Sequence, residues 1–176
     1  MKITDKHIFF FSGNDIPSNF FLSPQKAHGL TFQSNEQYFM WRKATHFGDI
    51  HTAEQILNLP GVYPLSKLSY EAKKLGRQVV NFDAYEWTKR SKEIMVEGII
   101  HKAKSNDHFA MTLIGAHLNG QKFVEASPYD TLWGVGLAVD DPLVDNPDNW
   151  KGQNLLGQCL DLAALDAYKN YAEEDK

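Results

Sequence analysis

Glu36 and Lys43 are charged residues placed among large apolar side chains in the segment SNEQYFMWRKATHFGD. On a helical wheel both fall within the apolar sector, which is roughly 80° wide. They are separated by about 10 Å along the helix axis, too far for a direct ion pair. Each therefore needs a partner from another segment or from a ligand. A position near a helix N-terminus favours the ionised form of Glu36, which suits a base or a group that stabilises positive charge.

An ordinary surface helix would explain the same two residues. Glu36 in the first turn would then complement the helix dipole. The aliphatic stem of Lys43 would lie along apolar surface with its ammonium group in water. The segment by itself leaves both interpretations open.

A second group of candidates lies in VEASPYDTLWGVG, where Glu125 ends a predicted strand and Asp130 and Trp133 follow in a loop. Two carboxylates beside a flat aromatic could hold a planar base and a sugar. The alternative is a solvated turn whose tryptophan covers the core.

Two further segments could bind anions or hydroxyl groups. Asn154 in WKGQNLLG precedes the last predicted helix, where exposed amide groups could meet an anion or a sugar. Arg77 in KKLGRQV follows a glycine that ends a helix, a placement that suits phosphate recognition. The alternatives are a glycine that only permits close packing and a solvated surface arginine.

The histidines of the chain, among them His28, His46, His101 and His108, are scattered along the sequence without the close pairs typical of metal sites. The sequence also lacks the HExxH, GxSxG and P-loop patterns. We therefore expect no metal and no cofactor.

Composition restricts the class of protein. The 176 residues are 43% hydrophobic and carry a net charge of −4, so we expect a single domain over 1–176 without an overall basic field for nucleic acid. The single cysteine, Cys159, excludes an internal disulfide. No apolar run is long enough for a membrane span or a signal segment, and we expect a cytoplasmic protein that does not bind membranes.

The elements that must position these residues can be read from caps and periodicity. KHIFFF, HGLTFQS and GQKFVEAS have strand character. Helices are predicted to begin at Ser34 and Asp83, each followed three residues later by Gln or Glu. Other helices are predicted in TAEQILNL, LSYEAKKLG, DHFAMTLIGAH and QNLLGQCLDLAALDAYKNY. The loop 128–152 is unusually long for a compact domain, and such loops are commonly functional.

Taken in order, five blocks of this sequence resemble the NADAR family, also called YbiA-like. The blocks are SNF with an aromatic strand before it, SNEQYFMWRKA, LGR.V with a later Trp, VEAS..D..WGVGL and W.GQNLLG. The resemblance covers nearly the whole chain, from about Phe9 to Leu165. It implies an α+β fold, mostly helical, in a single domain with a small β-sheet.

The resemblance also implies hydrolysis of a ribose C–N bond. The substrates associated with the family are phosphorylated ribosylamino-pyrimidine intermediates of riboflavin synthesis and ADP-ribose linked to a nucleobase. The expected partners are thus a small ribosyl phosphate or an ADP-ribosyl compound, with ADP-ribosylated nucleic acid as a further candidate.

The site residues follow from the five blocks. The candidate catalytic residues are Glu36, Glu125 and Asp130. The candidate substrate-binding residues are Asn19, Lys43, Arg77, Trp87, Trp133 and Asn154.

Two other functions remain open from the sequence. One is a non-catalytic module that binds ADP-ribose or a related nucleotide in the same pocket. The other is an interaction module whose acidic loop is a docking surface.

Overall fold

The computed structural model describes residues 1–174, over which short strands are interspersed with helices. The mostly helical α+β class predicted from the sequence is confirmed. The strands are β1 (Lys2–Ile3), β2 (His7–Phe10), β3 (Leu22–Ala27), β4 (Leu30–Ser34) and β5 (Lys122–Glu125). The helices are α1 (Asn35–His46), α2 (Ile50–Leu57), α3 (Leu59–Val62), α4 (Leu65–Gly76), α5 (Ala84–Ser105), α6 (Asp107–Leu118) and α7 (Leu155–Glu174), with a 3₁₀ turn at Pro147–Asn149.

The chain divides into two compact units. The first contains Met1–Ser18 and the chain from Asp107 onwards, and the second contains Asn19–Asn106. The single domain over 1–176 stays a prediction, and its last two residues lie outside the described part of the chain.

The first unit is built on a three-stranded sheet in the order β1-β2-β5. β1 pairs antiparallel with β2, and β2 pairs parallel with β5, with Phe10 opposite Glu125. Helix α7 packs against both β5 and α6. The predicted strands in KHIFFF and GQKFVEAS are therefore present.

The long loop of the first unit is a folded part of its core. Val135, Leu137 and Val144 of the loop are buried together with Phe9 and Val124 of the sheet. Backbone hydrogen bonds fix this loop, among them the bond from the Val135 N–H to the Glu125 carbonyl, 2.9 Å. Its length thus contributes to packing as well as to the candidate site.

The second unit begins with the β3–β4 hairpin, which leads directly into α1. Ser34 caps α1 by accepting a hydrogen bond from the Gln37 N–H at 3.2 Å, as the sequence predicts. The Gln37 side chain accepts from the N–H of Gln33 instead of that of Ser34, which differs from the usual capping box. Helix α1 packs against α2, α4 and α5.

Strand β3 is absent from the sequence predictions, which placed residues 22–24 in a loop. Its burial pattern explains the omission, because the inward positions carry polar Ser23 and Gln25 while Leu22 faces outward. Pro24 adds to the irregularity, and the register shifts between Leu22 and Gln25. The missing hydrophobic alternation and the proline both argue against a strand in this segment, although a strand does form there.

The helix predicted in TAEQILNL is followed in the sequence by Pro60 and Gly61, which are expected to stop it, and this expectation is wrong in detail. Helix α2 ends at Leu57, and both residues lie inside the single turn α3. Proline is tolerated there because the first turn of a helix needs no donor from its backbone.

Within residues 1–174, none of the helices is both long enough and apolar enough to cross a lipid bilayer.

Candidate functional site

Glu36 is held at the beginning of α1 together with Asn19. Only 4% of Glu36 is exposed, and its N–H donates to the Asn19 carbonyl at 2.9 Å. The Asn19 side-chain oxygen accepts from the amide of Asn35 at 2.9 Å. The structure therefore brings two of the sequence-predicted residues, Asn19 and Glu36, into direct contact. A buried carboxylate in the first helical turn fits poorly with an ordinary surface helix.

Lys43 lies one turn from the C-terminal end of α1 and contacts a helix terminus. Its Nζ donates to the carbonyl of Gly76 at 2.8 Å and lies 4.1 Å from the ring centroid of Phe82. Burial lowers the pKa of Lys43 from its usual value, because desolvation disfavours the charged form. The carbonyl uses one of the three donors of an ammonium group, so the others can meet an anion.

Arg77 and Trp87 lie in the same part of the second unit. Arg77 follows Gly76 as the C-cap of α4 and is exposed, so it is available to a charged ligand. The Trp87 ring is half-buried and packs at 5.2 Å between centroids against Phe39. The Lys43 ammonium lies 6.0 Å from the Trp87 ring centroid, so Lys43 and Trp87 are neighbours.

In the first unit, Glu125 ends β5, and the side chain of Asn154 fixes the backbone around it. The Asn154 Nδ2 donates to the Phe123 carbonyl at 2.9 Å, and its Oδ1 accepts from the Glu125 N–H at 3.0 Å. Both ends of this amide are thus used by β5. The geometry favours a positioning role for Asn154, and its direct binding of hydroxyl groups stays a prediction.

Asp130 and Trp133 belong to one tight turn. Asp130 Oδ1 accepts from the N–H groups of Leu132 and Trp133 at 2.9 and 2.8 Å. Gly134 follows, and a Cβ placed there would lie 2.9 Å from the carbonyl oxygens of both Glu125 and Asp130. Only glycine allows the backbone this approach, so Gly134 keeps Glu125 and Asp130 close together.

The candidate residues are divided between the two units. The first unit holds Glu125, Asp130, Trp133 and Asn154. In the second unit, Asn19 contacts Glu36 at the start of α1, whereas Lys43, Arg77 and Trp87 lie near the other end of that helix. The catalytic and binding roles of all these residues stay predictions.

A known protein family matches most of this chain. The family model for the NADAR domain matches residues 4–163. The chain belongs to the NADAR domain family. The ordered blocks that suggest this family in the sequence therefore identify it correctly.

Two relatives show how far the NADAR similarity extends. N-glycosidase R617 of Acanthamoeba polyphaga mimivirus is 34% identical over 169 residues, which cover 89% of this chain and 94% of the viral protein. Protein irg-1 of Caenorhabditis elegans is 36% identical over 137 residues, 78% of this chain. The match covers only 61% of the length of irg-1.

The NADAR fold also matches a solved structure. The NMR structure of the E. coli protein YbiA superimposes with a TM-score of 0.71, covering 99% of this chain and 89% of that one. The two sequences are 24% identical, so this likeness supports the fold alone.

Sequence reasoning overlooked polar residues that support the NADAR candidate site. Gln25 is fully buried and donates to the Asn35 side chain at 3.3 Å and to the Gly98 carbonyl at 3.2 Å. Asn35 in turn bonds Asn19, so a chain of amides underlies the start of α1. Asn35 could have been found from the sequence because it stands next to Glu36. Gln25 could not, because the strand that contains it was not predicted.

Two of the histidines that are scattered along the sequence lie close together in the fold. His28 and His101 lie with their ring centroids 5.8 Å apart, although 73 positions of sequence separate them. Glu97 joins them, and the three ligand atoms lie within 4.8 Å of one another. The hairpin that brings His28 to α5 contains the strand that sequence reasoning missed.

Proposed function

We propose that this protein is an N-glycosidase that hydrolyses the bond between ribose and the nitrogen of a base. Membership of the NADAR family supports a hydrolase acting on N-glycosyl bonds, as does the similarity to a protein named N-glycosidase. The observation that carries the proposal is the burial of Glu36, a carboxylate fixed in the first turn of α1 beside Asn19.

The chemistry of this reaction explains why a buried carboxylate is useful. Breaking a ribose C–N bond develops positive charge on the sugar ring, and an ionised carboxylate stabilises that charge. The dipole of α1 favours the ionised form of Glu36. Glu36 therefore has the role of the charged stabiliser of the transition state and can orient the attacking water.

Glu125 and Asp130 are the other carboxylates at family positions. We assign to one of them contact with the base edge, the ribose hydroxyls or the attacking water. Their backbones are held by Gly134 and Asn154, so the side chains start from a fixed frame. Trp133 and Trp87 have the flat surfaces that a base requires for stacking.

Lys43 and Arg77 are assigned to phosphate. Lys43 is partly desolvated, which strengthens its attraction to an anion, and Arg77 offers paired donors that match phosphate oxygens. Asn19 and Asn154 complete the assignment as groups that fix ribose hydroxyls, directly or through the backbone they hold. A phosphorylated ribosyl substrate is the class these side chains fit.

Two substrate classes meet these requirements. One is a phosphorylated ribosylamino-pyrimidine, and the other is ADP-ribose linked to a nucleobase, including one in nucleic acid. A cytoplasmic location fits either substrate and is part of the proposal.

The test is release of the base from each substrate in parallel, followed by chromatography. We expect release from at least one. Glu36→Gln should lower the rate by about 10²–10³-fold while leaving substrate affinity largely intact, because it removes charge stabilisation of the transition state. Glu86→Gln is the matched control: Glu86 lies in the first turn of α5 but is exposed and paired with Lys89, so its variant should retain full activity.

Three outcomes would contradict the proposal. Absence of release from both substrates by folded protein would exclude the reaction as stated. Binding of ADP-ribose without turnover would indicate a non-catalytic reader. Equal activity of Glu36→Gln and Glu86→Gln would remove Glu36 from the mechanism.

A further inference from the structure

His28, Glu97 and His101 converge at one place in the second unit, and none of the three is assigned to the ribose substrate. The His28 Nε2 lies 3.1 Å from Glu97 Oε1, and the His101 Nε2 lies 3.9 Å from the same oxygen. All three ligand atoms fall within 4.8 Å of one another. Two imidazoles and one carboxylate thus point to a common volume.

The fold determines this convergence. Glu97 and His101 are four residues apart on α5, so their side chains share one helix face. His28 and Gly29 form the two-residue turn of the β3–β4 hairpin, with φ of 52° and 75°. The ring of His28 is parallel to that of Tyr38, with an interplanar angle of 3°.

Arg42 contacts both His28 and Glu97 and therefore affects which of their atoms can bind an ion. Its Nη1 contacts Glu97 Oε2, lies 2.9 Å from the Tyr38 hydroxyl and lies 3.0 Å from the His28 Nε2. The two hydrogens of Nη1 can be taken by Glu97 Oε2 and the Tyr38 hydroxyl, which leaves the His28 Nε2 for another partner. In the tautomer without a proton on Nε2, that nitrogen and Glu97 Oε1 are two acceptors 3.1 Å apart.

The contact between the His28 Nε2 and Glu97 Oε1 can be satisfied in two ways. A proton on Nε2 would let it donate to Glu97 Oε1 at 3.1 Å. A cation that accepts several lone pairs at once satisfies Nε2 and Oε1 together. The His101 Nε2, 3.9 Å from the same Oε1, can supply another lone pair.

We propose that His28, Glu97 and His101 bind a divalent transition-metal ion of the zinc class. Neutral imidazole with one carboxylate is a ligand set that zinc and similar ions accept. Four tetrahedral ligands at 2.0–2.1 Å from zinc are about 3.4 Å from one another. The observed separations of 3.1 and 3.9 Å lie on either side of that value, and the separation between the two histidine ligand atoms is at most 4.8 Å.

The neighbours of Glu97 fit a supporting role around the metal. Arg42 engages Oε2 and leaves Oε1 for the ion, as outer partners of ligating carboxylates commonly do. The positive charge of Arg42 also reduces the attraction for a second cation. The site therefore selects an ion that imidazole binds well, in contrast to calcium or magnesium, which require more oxygen ligands.

The metal would join the tip of the hairpin to α5. Because the ligands come together only in the folded chain, binding raises the stability of the native state. The side chain of His28 is 41% exposed, so solvent can supply the fourth ligand. This inference is independent of the proposed N-glycosidase activity, and either can fail without the other.

The experiment uses the full chain without a polyhistidine tag, treated with a chelator and then titrated with zinc chloride by calorimetry. We expect one ion per chain. His101→Ala and Glu97→Gln should each weaken binding by at least about tenfold, because each removes a ligand. The matched control is His108→Ala, which removes an exposed histidine on α6 and should bind zinc like the parent.

A second measurement identifies the ligands. Cobalt in place of zinc should give visible absorption typical of nitrogen and oxygen ligands, and this absorption should be lost in His101→Ala. If His101→Ala does not fold, His28→Asn replaces it, since asparagine tolerates the left-handed backbone of the turn. Zinc should raise the Tm of the parent and of His108→Ala but not that of the ligand variants.

Two results would overturn the proposal. One is the absence of saturable zinc binding by the folded parent chain. The other is binding of equal strength in the parent, His101→Ala and His28→Asn, which would place the ion elsewhere.

Discussion

Replacement of Asn154 by alanine tests the frame that holds Glu125. The Asn154 amide makes two hydrogen bonds to β5, one of 2.9 Å to the Phe123 carbonyl and one of 3.0 Å from the Glu125 N–H. Asn154 is 7% exposed and has a φ of 51°. Alanine would leave two backbone groups of β5 without their side-chain partner.

The expected loss of stability can be worked out from these contacts. Each backbone group left without its partner costs about 1–3 kcal/mol. A left-handed backbone costs alanine about 1–2 kcal/mol more. Asn154→Ala should therefore lower the free energy of unfolding by about 3–8 kcal/mol, a large part of the 5–15 kcal/mol or so that is typical of a domain.

Urea denaturation followed by circular dichroism measures this loss. Asn81→Ala is the matched control, because Asn81 has a similar φ of 57° but is exposed. It should lose only the backbone contribution of about 1–2 kcal/mol. If the two variants differ by less than about 1 kcal/mol, the amide bonds to β5 do not hold the frame and our reasoning is refuted.

Two further predictions concern the second unit and a matched glycine. A Cβ at Gly98 would overlap the Asn35 side-chain oxygen, so Gly98→Ala should lower the free energy of unfolding by about 1–3 kcal/mol. A Cβ at Gly115 meets nothing within 4 Å, so Gly115→Ala should raise it by up to about 1 kcal/mol in the same denaturation assay. Equal effects of the two substitutions would contradict the packing argument. The Val80 N–H, 3.0 Å from the Asp49 carboxylate, lowers the pKa of Asp49 below 3.8, so Asp49→Asn should be less stable than the parent at pH 7. That difference should shrink as pH falls through the folded pKa, and a gap that stays constant down to pH 2 would count against it.

Local signals in the sequence predicted much of the secondary structure. Ser34 and Asp83 cap α1 and α5 through the N–H groups of Gln37 and Glu86, as their spacing indicates. These interactions depend on residues three apart in sequence, so the chain itself displays them. The same holds for β2, whose apolar run is continuous.

The errors concern features that depend on distant residues. In β3 the inward positions are polar because Gln25 bonds the Gly98 carbonyl of α5, and hydrophobic periodicity cannot show such a partner. The contact between His28 and Glu97 depends on that same hairpin and was missed for the same reason. The spacing of Glu97 and His101 on one helix was the only local trace of it.

The sequence indicated which residues are candidates for the site but not how they are arranged in space. The block order identified Glu36, Glu125 and Asp130 through the family resemblance. The sequence does not show which groups hold these residues in place. The Asn154 side chain, for example, accepts from the Glu125 N–H although 29 positions separate the two residues, and residue spacing does not reveal such a contact.

The parallel pairing of β2 with β5 has a consequence for the order of folding. The two strands are separated by roughly 115 residues of chain, so their pairing requires closure of a very long loop. At a synthesis rate of about 5–20 residues per second, β5 is made roughly 6–23 s after β2. The second unit is continuous in sequence, from Asn19 to Asn106, and contains most of the residues made during that interval. The second unit can therefore fold while one edge of β2, with its apolar residues IFF, still lacks β5 and is open to chaperones or to aggregation.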